Sequence, residues 1–201
     1  QAEDGIRDVE RSRGLGDVYK RQNINTAPLE IIARLPGLNE EMAKAIVESE
    51  FRPFSVKEAL LLVETLDKSV FEQFKDLITV YTKGKVNINT ASSGVLQALG
   101  LSEDLSQIII SYREGYDGEL GTEDDGIFKD TASILDNLNE FNRLTEEQEE
   151  TLLNLINCHL LCVKSNNFDI ALQVEKDHKP IRSFNIIFES GTGNIKFWQE
   201  D

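Results

Sequence analysis

The five-residue sequence Asn-Ile-Asn-Thr-Ala occurs twice in this chain, at residues 23–27 and 87–91. Apolar residues follow each copy at helical spacing, a short turn comes next, and a second amphipathic segment begins after the turn. Such a repeat is one supersecondary unit used twice, so it constrains the fold more strongly than any single motif. We therefore predict two units that each consist of a helix, a tight hairpin and a second helix.

Local signals place the starts of several predicted helices. In the repeats, the hydroxyls of Thr26 and Thr90 are predicted N-caps because each can accept an amide hydrogen of the first turn. Elsewhere, Ser or Thr followed three residues later by Glu or Gln is a capping-box pattern, which also predicts a helix start. These boxes pair Ser55 with Glu58, Ser69 with Glu72, and Thr145 with Gln148.

The hydrophobic period changes from helical to two near residue 160. Apolar and polar residues alternate over 168–175 and 183–189, and a third short run contains Ile195 and Phe197. Alternating runs separated by turn residues are typical of an antiparallel meander with one buried face. The predicted fold class is α+β, a mostly α-helical domain with two helix-hairpin-helix-like repeats followed by a small C-terminal antiparallel β-sheet.

The first 22 residues differ in character from the rest, because they are rich in Gly and Arg and lack an apolar period. Read back into codons, residues 1–8 resemble a common sequencing-library primer, and residues 12–22 resemble the transposase adaptor that follows it. We expect residues 1–22 to be a non-native, adaptor-derived and disordered segment that is not part of the fold. A disordered native terminus is the alternative.

The repeat and the change of period set the predicted domain boundaries. We place a first helix-hairpin-helix-like subdomain at residues 23–82 and a second at 83–159. The C-terminal β-meander is predicted at 160–201.

The chain has a formal net charge of −15 at pH 7. The five acidic and five basic residues of segment 1–22 cancel, so this charge belongs to residues 23–201. An acidic protein repels a polyphosphate backbone, which disfavours nonspecific nucleic-acid binding. No apolar run approaches the roughly 20 residues that span a bilayer.

The segment 114–130 is the most acidic stretch, with seven carboxylates, one lysine and four glycines. Glycine lets a backbone fold tightly enough to converge oxygens, and Ca²⁺ binds roughly six to eight carboxylate and carbonyl oxygens. Its spacing differs from that of the EF-hand loop. Two interpretations stay open, a solvated acidic loop and a calcium site. The predicted calcium ligands are Asp117, Glu119, Asp124 and Asp125, to which carbonyls such as that of Thr122 can add.

The turn at residues 35–38 resembles the helix-hairpin-helix family, whose typical turn is apolar-Pro-Gly-apolar-Gly. In DNA-binding members, the hairpin amides and the following helix N-terminus hold a phosphate. Asn39 stands where that family has its second Gly, and bases are few near both hairpins, so we expect a packing role instead. The residues that the nucleic-acid alternative assigns to binding are Leu35, Pro36, Gly37, Leu38 and Lys44.

Taken in order, the motifs resemble the general secretion pathway protein K family, the minor pseudopilins of type II secretion. The similarity covers residues 23–201. It rests on the two repeats, on the acidic loop after Tyr-Arg-Glu, and on three quoted stretches. These stretches are FRPFSVKEALLLVETL (51–66), LITVYTKGKVNINTA (77–91) and VKSNNFDIALQVEK (163–176). The implied fold is a partial pilin-like module, in which a helical domain is inserted before the last strands of a sheet.

The resemblance implies a non-enzymatic role at the tip of a pseudopilus, in a complex with other minor pseudopilins. It also implies calcium in the inserted region and a location at the periplasmic face of the bacterial inner membrane. Membrane anchoring would come from an N-terminal helix that is missing here. The alternative is a helix-hairpin-helix DNA-binding protein of the competence DNA-receptor type, which the acidic charge disfavours, and we expect no nucleic-acid partner.

Catalysis has little support in the residues. No Cys/His zinc spacing, phosphate loop or nucleophile elbow occurs in the sequence. Carboxylate pairs are expected by chance in so acidic a chain, so a carbohydrate- or peptide-processing enzyme ranks last.

Overall fold

The computed structural model describes residues 9–17, 21–176 and 179–200. These residues divide into two compact units, a helical unit up to Ser165 and a sheet unit. The sheet unit combines strand β1 (Val9–Asp17) with the residues from Asn166 onwards. The predicted α+β class is confirmed, with helices in one unit and an antiparallel sheet in the other.

The first half of the helical unit is built around the first repeat. Its elements are strand β2 (Gln22–Asn23), helix α1 (Leu29–Ile32), helix α2 (Glu40–Val47), a 3₁₀ helix (Lys57–Leu62), helix α3 (Lys68–Phe74) and strand β3 (Ile78–Thr79). Strands β2 and β3 pair in parallel, with Gln22 opposite Ile78 and Asn23 opposite Thr79. The two ends of the first half therefore meet.

The second half repeats this plan. Its elements are strand β4 (Val86–Asn87), helix α4 (Ser93–Ala98), helix α5 (Glu103–Glu114), helix α6 (Ile134–Phe141), helix α7 (Glu146–Asn157) and strand β5 (Leu161–Cys162). Strands β4 and β5 also pair in parallel, with Val86 opposite Leu161. Both halves thus open and close with a two-residue strand, and the internal repeat extends to the tertiary structure.

The two halves share one apolar core, which the predicted boundary between residues 82 and 83 does not divide. A continuous cluster of buried side chains runs from Ile24 to Leu161 and includes Phe74 of α3 and Leu152 of α7. The predicted start of the sheet at residue 160 is also wrong. Leu161 and Cys162 belong to the helical unit, because they pair with β4, and the meander begins at Asn167.

Some predicted helix caps are wrong, because other polar groups take those positions. Thr26 and Thr90 do not cap: α1 follows Pro28 and α4 follows Ser92, and neither has a side-chain cap bond. The turn before each helix is instead closed by an asparagine of the repeat. Asn23 Oδ1 accepts the amide of Asn25 at 2.8 Å, and the equivalent bond in the second repeat measures 3.0 Å.

The capping boxes give a mixed outcome. The box at Thr145 and Gln148 is confirmed in full, with both reciprocal bonds present at the start of α7. The Ser69 box is wrong, because Asp67 lies two residues earlier and accepts the amide of Val70. The Ser55 box is also wrong, since a 3₁₀ helix begins after Val56 without a side-chain cap.

The sheet unit has the strand order β1-β6-β7-β8 and is antiparallel throughout. Strand β6 is Asn167–Lys176, β7 is Lys179–Glu189 and β8 is Asn194–Glu200. Apolar cross-strand pairs stabilise one face. These pairs are Phe168 with Phe188, Ile170 with Ile186, and Leu172 with Phe184.

The predicted disorder of residues 1–22 is wrong where the structure describes them. Strand β1 pairs with β6 from Val9 to Asp17, with a register shift between Ser12 and Leu15. Gln22 is only 1% exposed and belongs to β2. One edge of β6 and one edge of β3 each pair with backbone groups of this segment. Such pairing uses backbone N–H and C=O groups and therefore does not require an apolar side-chain pattern.

Within the described residues, no helix is long and apolar enough to cross a membrane.

Candidate functional site

An asparagine in each repeat binds the backbone of a distant phenylalanine through two hydrogen bonds. Asn25 Nδ2 donates to the carbonyl of Phe54 at 2.9 Å, and the Phe54 amide donates to Asn25 Oδ1 at 2.8 Å. Asn89 makes the same pair of bonds to Phe128, both at 2.9 Å. Asn89 Nδ2 also donates to the carbonyl of Val163 at 3.0 Å. We call each arrangement an asparagine clamp.

An arginine accompanies each clamp and binds the carbonyls of the repeat turn. Arg52 donates to the carbonyl of Asn25 from Nε and Nη2 and to that of Ala27 from Nη2, at 2.8–3.1 Å. Arg113, at the end of α5, donates from Nη1 to the carbonyl of Ala91 at 2.6 Å. Burial lowers the pKa of both guanidinium groups, and the carbonyls provide the partners that a buried charge requires.

The acidic loop lies between α5 and the clamped Phe128, and its ends are held together. The Gly126 amide donates to the Tyr112 carbonyl at 3.0 Å. The Tyr112 and Phe128 rings pack with centroids 4.6 Å apart. A Cβ at Gly126 would overlap the Tyr112 carbonyl oxygen and ring, so only glycine permits this approach. Burial and the nearby charge of Glu140 raise the pKa of Tyr112.

Inside the loop, three oxygens surround the hydroxyl of Thr122. Its Oγ1 lies 2.8 Å from Asp124 Oδ1, 3.1 Å from Asp125 Oδ1 and 3.3 Å from the carbonyl oxygen of Glu119. A hydroxyl carries one proton and can donate to only one of them at a time. The other two oxygens then face the hydroxyl oxygen without its proton, which is unfavourable unless water or a cation intervenes.

The second oxygen of Asp124 folds the first part of the loop. Its Oδ2 accepts the amides of Tyr116 at 2.6 Å and Asp117 at 3.2 Å. The Thr122 hydroxyl and these amides lower the pKa of Asp124 below its ordinary value. Gly115 has φ +67°, and a Cβ there would overlap the Asp124 carboxylate. The sequence DGELGTEDDG therefore closes into a ring around one carboxylate.

The four predicted calcium ligands are brought into the same loop but not onto one point. Asp124 and Asp125 converge on Thr122, whereas Asp117 Oδ1 accepts the amide of Glu119 at 2.8 Å. Asp125 Oδ2 accepts the Gly121 amide at 2.7 Å. In the part of the chain that the structure describes, no group of three His, Cys, Asp or Glu side chains is arranged to hold a metal ion.

The first hairpin has the geometry of a tight turn, with the Leu38 amide donating to the Leu35 carbonyl at 3.2 Å. Gly37 has φ +77°, a conformation that favours glycine. Asn39 caps α2, and its Oδ1 accepts the Met42 amide at 2.8 Å. A phosphate at this helix N-terminus would therefore compete with a side-chain cap.

Charge also disfavours an anion at the first hairpin. Glu40 and Glu41 occupy the first turn of α2, where they already satisfy the helix dipole. Lys44, assigned to phosphate by the nucleic-acid alternative, lies 3.9 Å from Glu48. Pro36 is exposed and Leu35 is buried in the core. The hairpin thus serves packing through Leu35 and presents carboxylates to solvent.

Sequence reasoning missed the clamps and their arginines. The signal was available, because Asn25 and Asn89 occupy the same position of the two repeat copies. An identical polar residue in both copies, next to buried apolar ones, indicates a buried backbone contact that each copy needs.

Comparisons with known proteins give two different kinds of likeness. A family model described as a helix-hairpin-helix motif matches residues 20–79. The mouse endonuclease/exonuclease/phosphatase family domain-containing protein 1 is 31% identical over 157 residues, which are 59% of this chain and 27% of the mouse protein. The protein of the same name from Xenopus laevis is 32% identical over 120 residues, 47% of this chain and 22% of the frog protein. The chain spans about a quarter of the length of these curated relatives.

The structural likeness covers far more of the chain. A chain in the crystal structure of the GspK-GspI-GspJ complex from the enterotoxigenic Escherichia coli type 2 secretion system superposes with a TM-score of 0.64. The match covers 98% of this chain and 83% of that chain at 16% sequence identity. At this identity the likeness is one of fold, and it includes the helical unit as well as the sheet.

Proposed function

We propose that this chain is a non-enzymatic minor pseudopilin of a type II protein secretion system and assembles at the pseudopilus tip with other minor pseudopilins. The observation that carries the proposal is the fold likeness over 98% of the chain to a chain of the GspK-GspI-GspJ complex. A helix-hairpin-helix match limited to residues 20–79 leaves the second repeat and the sheet unexplained.

The nucleic-acid alternative draws its support from that same match and from relatives with nuclease-type names. Three features of the first hairpin oppose it: the Asn39 cap, the two glutamates that follow it, and the pairing of Lys44 with Glu48. The net charge of −15 opposes it further, because phosphate contacts are driven by Lys and Arg.

Co-purification with co-expressed minor pseudopilins tests the proposal. We expect the chain to co-elute with the proteins that correspond to GspI and GspJ in one complex on size exclusion. Fluorescence anisotropy with a labelled DNA duplex, measured over a range of salt concentrations, is the parallel assay. Steep salt-dependent DNA binding without co-elution would overturn the proposal and favour the alternative.

The same proposal places the protein at the periplasmic face of the bacterial inner membrane. Cell fractionation tests this point: the protein is expected in the membrane and periplasmic fractions, and a cytosolic location would contradict it.

We further propose that the acidic loop binds calcium through Asp124, Asp125 and neighbouring oxygens. The donor types fit, because the Asp124 and Asp125 carboxylates and the Glu119 carbonyl each place one oxygen within 3.3 Å of the Thr122 hydroxyl. Ca²⁺ accepts carboxylate, carbonyl and water oxygens in flexible geometry. A bound cation would offset the negative charge of this loop. The other two predicted ligands, Asp117 and Glu119, belong to the same loop.

Thermal unfolding with calcium or with a chelator tests the calcium site. We expect the chelator to lower the melting temperature of the wild type, because an ion that binds only the folded state stabilises it. Asp124→Ala should abolish this difference. Asp136→Ala, which removes an exposed carboxylate on α6, is the matched control and should keep it. A wild type that does not respond to chelator would exclude the site.

A further inference from the structure

The acidic loop contains two Asp-Gly pairs, Asp117-Gly118 and Asp125-Gly126. They differ in exposure and in the hydrogen bonds that their amides and carboxylates make. Asp-Gly is the pair most prone to isomerisation, because glycine leaves the following nitrogen unhindered. That nitrogen loses its proton and attacks the aspartate Cγ, and the carboxyl oxygen leaves as water, forming a succinimide. Water then opens the ring at either carbonyl, which gives aspartate or isoaspartate. One water is lost and one is gained, so no oxidant or co-reactant is needed.

The geometry around Asp117 leaves this attack open. Both residues of the pair are exposed, and space for a Cβ at Gly118 is empty within 4 Å. Among the described residues, the Gly118 amide has no hydrogen-bond partner. Asp117 Oδ1 accepts the Glu119 amide at 2.8 Å, so the carboxyl group stays beside the Gly118 backbone and is turned toward the following residues.

The geometry around Asp125 prevents the same attack. The Gly126 amide donates to the Tyr112 carbonyl at 3.0 Å, so its nitrogen is engaged. The Asp125 carboxylate is engaged as well, because its Oδ2 accepts the Gly121 amide at 2.7 Å. Tyr112 lies so close to Gly126 that a Cβ there would overlap its carbonyl oxygen and ring. Attack at Asp125 therefore requires local opening of the loop base.

We propose that Asp117 is a site of spontaneous isoaspartate formation in the folded protein and that Asp125, eight residues later, is protected by the fold. Isomerisation inserts the side-chain methylene into the main chain at Asp117. The backbone there is lengthened, and the bond to the Glu119 amide is lost. The fraction of molecules that carry isoaspartate at 117 therefore increases with time. This reaction at Asp117 does not require that the loop bind calcium.

Peptide mapping of aged protein tests the proposal. The intact chain is incubated at neutral pH and 37 °C, in its folded state and in parallel in urea. Isoaspartate is then located by peptide fragmentation and by methylation with an isoaspartyl methyltransferase. In the folded protein we expect isoaspartate at 117 to accumulate at least about tenfold faster than at 125, since the latter needs local opening. In urea the two rates should become similar.

Two variants strengthen the test. Gly118→Val should suppress the reaction at 117, because a β-branched side chain hinders the attacking nitrogen. Valine also strains the positive φ at this position, so an unchanged rate at 125 in the same variant is the check that the loop base is intact. Asp117→Asn should speed ring formation and mark the site by a mass change. Equal rates at 117 and 125 in the folded protein would overturn the proposal, as would the absence of isoaspartate at 117 when the urea sample forms it. The third Asp-Gly pair, Asp4-Gly5, lies outside the described residues and is resolved as a separate peptide.

Discussion

The two halves of the helical unit begin with the same five residues and reach the same asparagine clamp by connections of different length. In the first half, residues 48–53 join α2 to Phe54, whereas in the second half residues 115–127 join α5 to Phe128. Loop-closure entropy rises only slowly with loop length, so the clamp tolerates the longer connection. The second half therefore accommodates an acidic loop while keeping the same clamp as the first half.

The two arginines differ in where they lie relative to the connection. In the first half, Arg52 lies within the connection itself and binds the repeat turn, so that short segment cannot change. In the second half, Arg113 makes the corresponding bond from the last turn of α5, before the connection begins. Residues 116–125 hydrogen-bond with one another, and the Tyr116 ring also packs against that of Phe141.

Loss of a clamp is the largest effect we predict. Asn89→Ala leaves the Phe128 amide and carbonyl and the Val163 carbonyl without their partner, and we expect the free energy of unfolding to fall by about 3 kcal/mol. Asn25→Ala removes two bonds instead of three, so its cost should be about 2 kcal/mol. Urea unfolding followed by far-UV circular dichroism measures both. Losses under about 0.5 kcal/mol in both variants would show that the clamps do not stabilise the unit.

The loop base should be less tolerant than the loop tip. Gly126→Ala places a Cβ against the backbone of Tyr112, which cannot move aside, and we expect a loss of about 2 kcal/mol or more. Gly118→Ala meets no atom but must adopt φ near +73°, which costs about 1 kcal/mol. The same urea titration compares the two. A larger loss at Gly118 would contradict the division into a fixed base and a free tip.

A third comparison concerns the residue that opens each half. Gln22 and Val86 hold equivalent places in β2 and β4, and both are buried, but neither polar atom of the Gln22 side chain has a partner. Gln22→Val should therefore stabilise the protein by about 1 kcal/mol or more, because a buried unsatisfied amide is costly. Val86→Gln should destabilise it by a similar or larger amount. A loss of stability in Gln22→Val would contradict this prediction and show that the Gln22 amide contributes favourably to the fold.

Much of the fold follows from patterns that the sequence displays directly. The repeat predicted the duplicated hairpins, and alternation over residues 168–175 and 183–189 predicted the antiparallel strands, because both patterns follow from burial of one face. The parallel pairing of β2 with β3 and of β4 with β5 was not predicted. Two-residue strands carry no period, and only the three-dimensional contact reveals that the ends of each half meet.

The details of the acidic loop were harder to predict than its location. Composition placed the carboxylates in one segment, but it could not show that Asp124 binds two amides while Asp125 binds another. Such bonds depend on the φ angles of Gly115 and Gly121, which a sequence does not specify. The hydroxyl of Thr122 was overlooked for the same reason, since only its carbonyl was considered as a ligand.

The smallest predicted effect concerns the protonation of Asp124, which the first half of the unit has no counterpart for. Its pKa is lowered from the ordinary value of 3.8, first by the Thr122 hydroxyl and then by the Tyr116 amide. A lowered folded pKa favours the ionised form, so the resulting stabilisation is fully present above pH 3.8 and is lost as the pH falls through the lower folded value. The amide shifts of Tyr116 and Asp117 in NMR spectra should therefore titrate below pH 3.8.

Thr122→Val removes the hydroxyl and should move this titration upward, whereas Thr122→Ser keeps the hydroxyl and should leave it in place. An identical titration in the valine variant would show that the backbone amides alone hold the carboxylate, and the ring of oxygens around Thr122 would then have no electrostatic role.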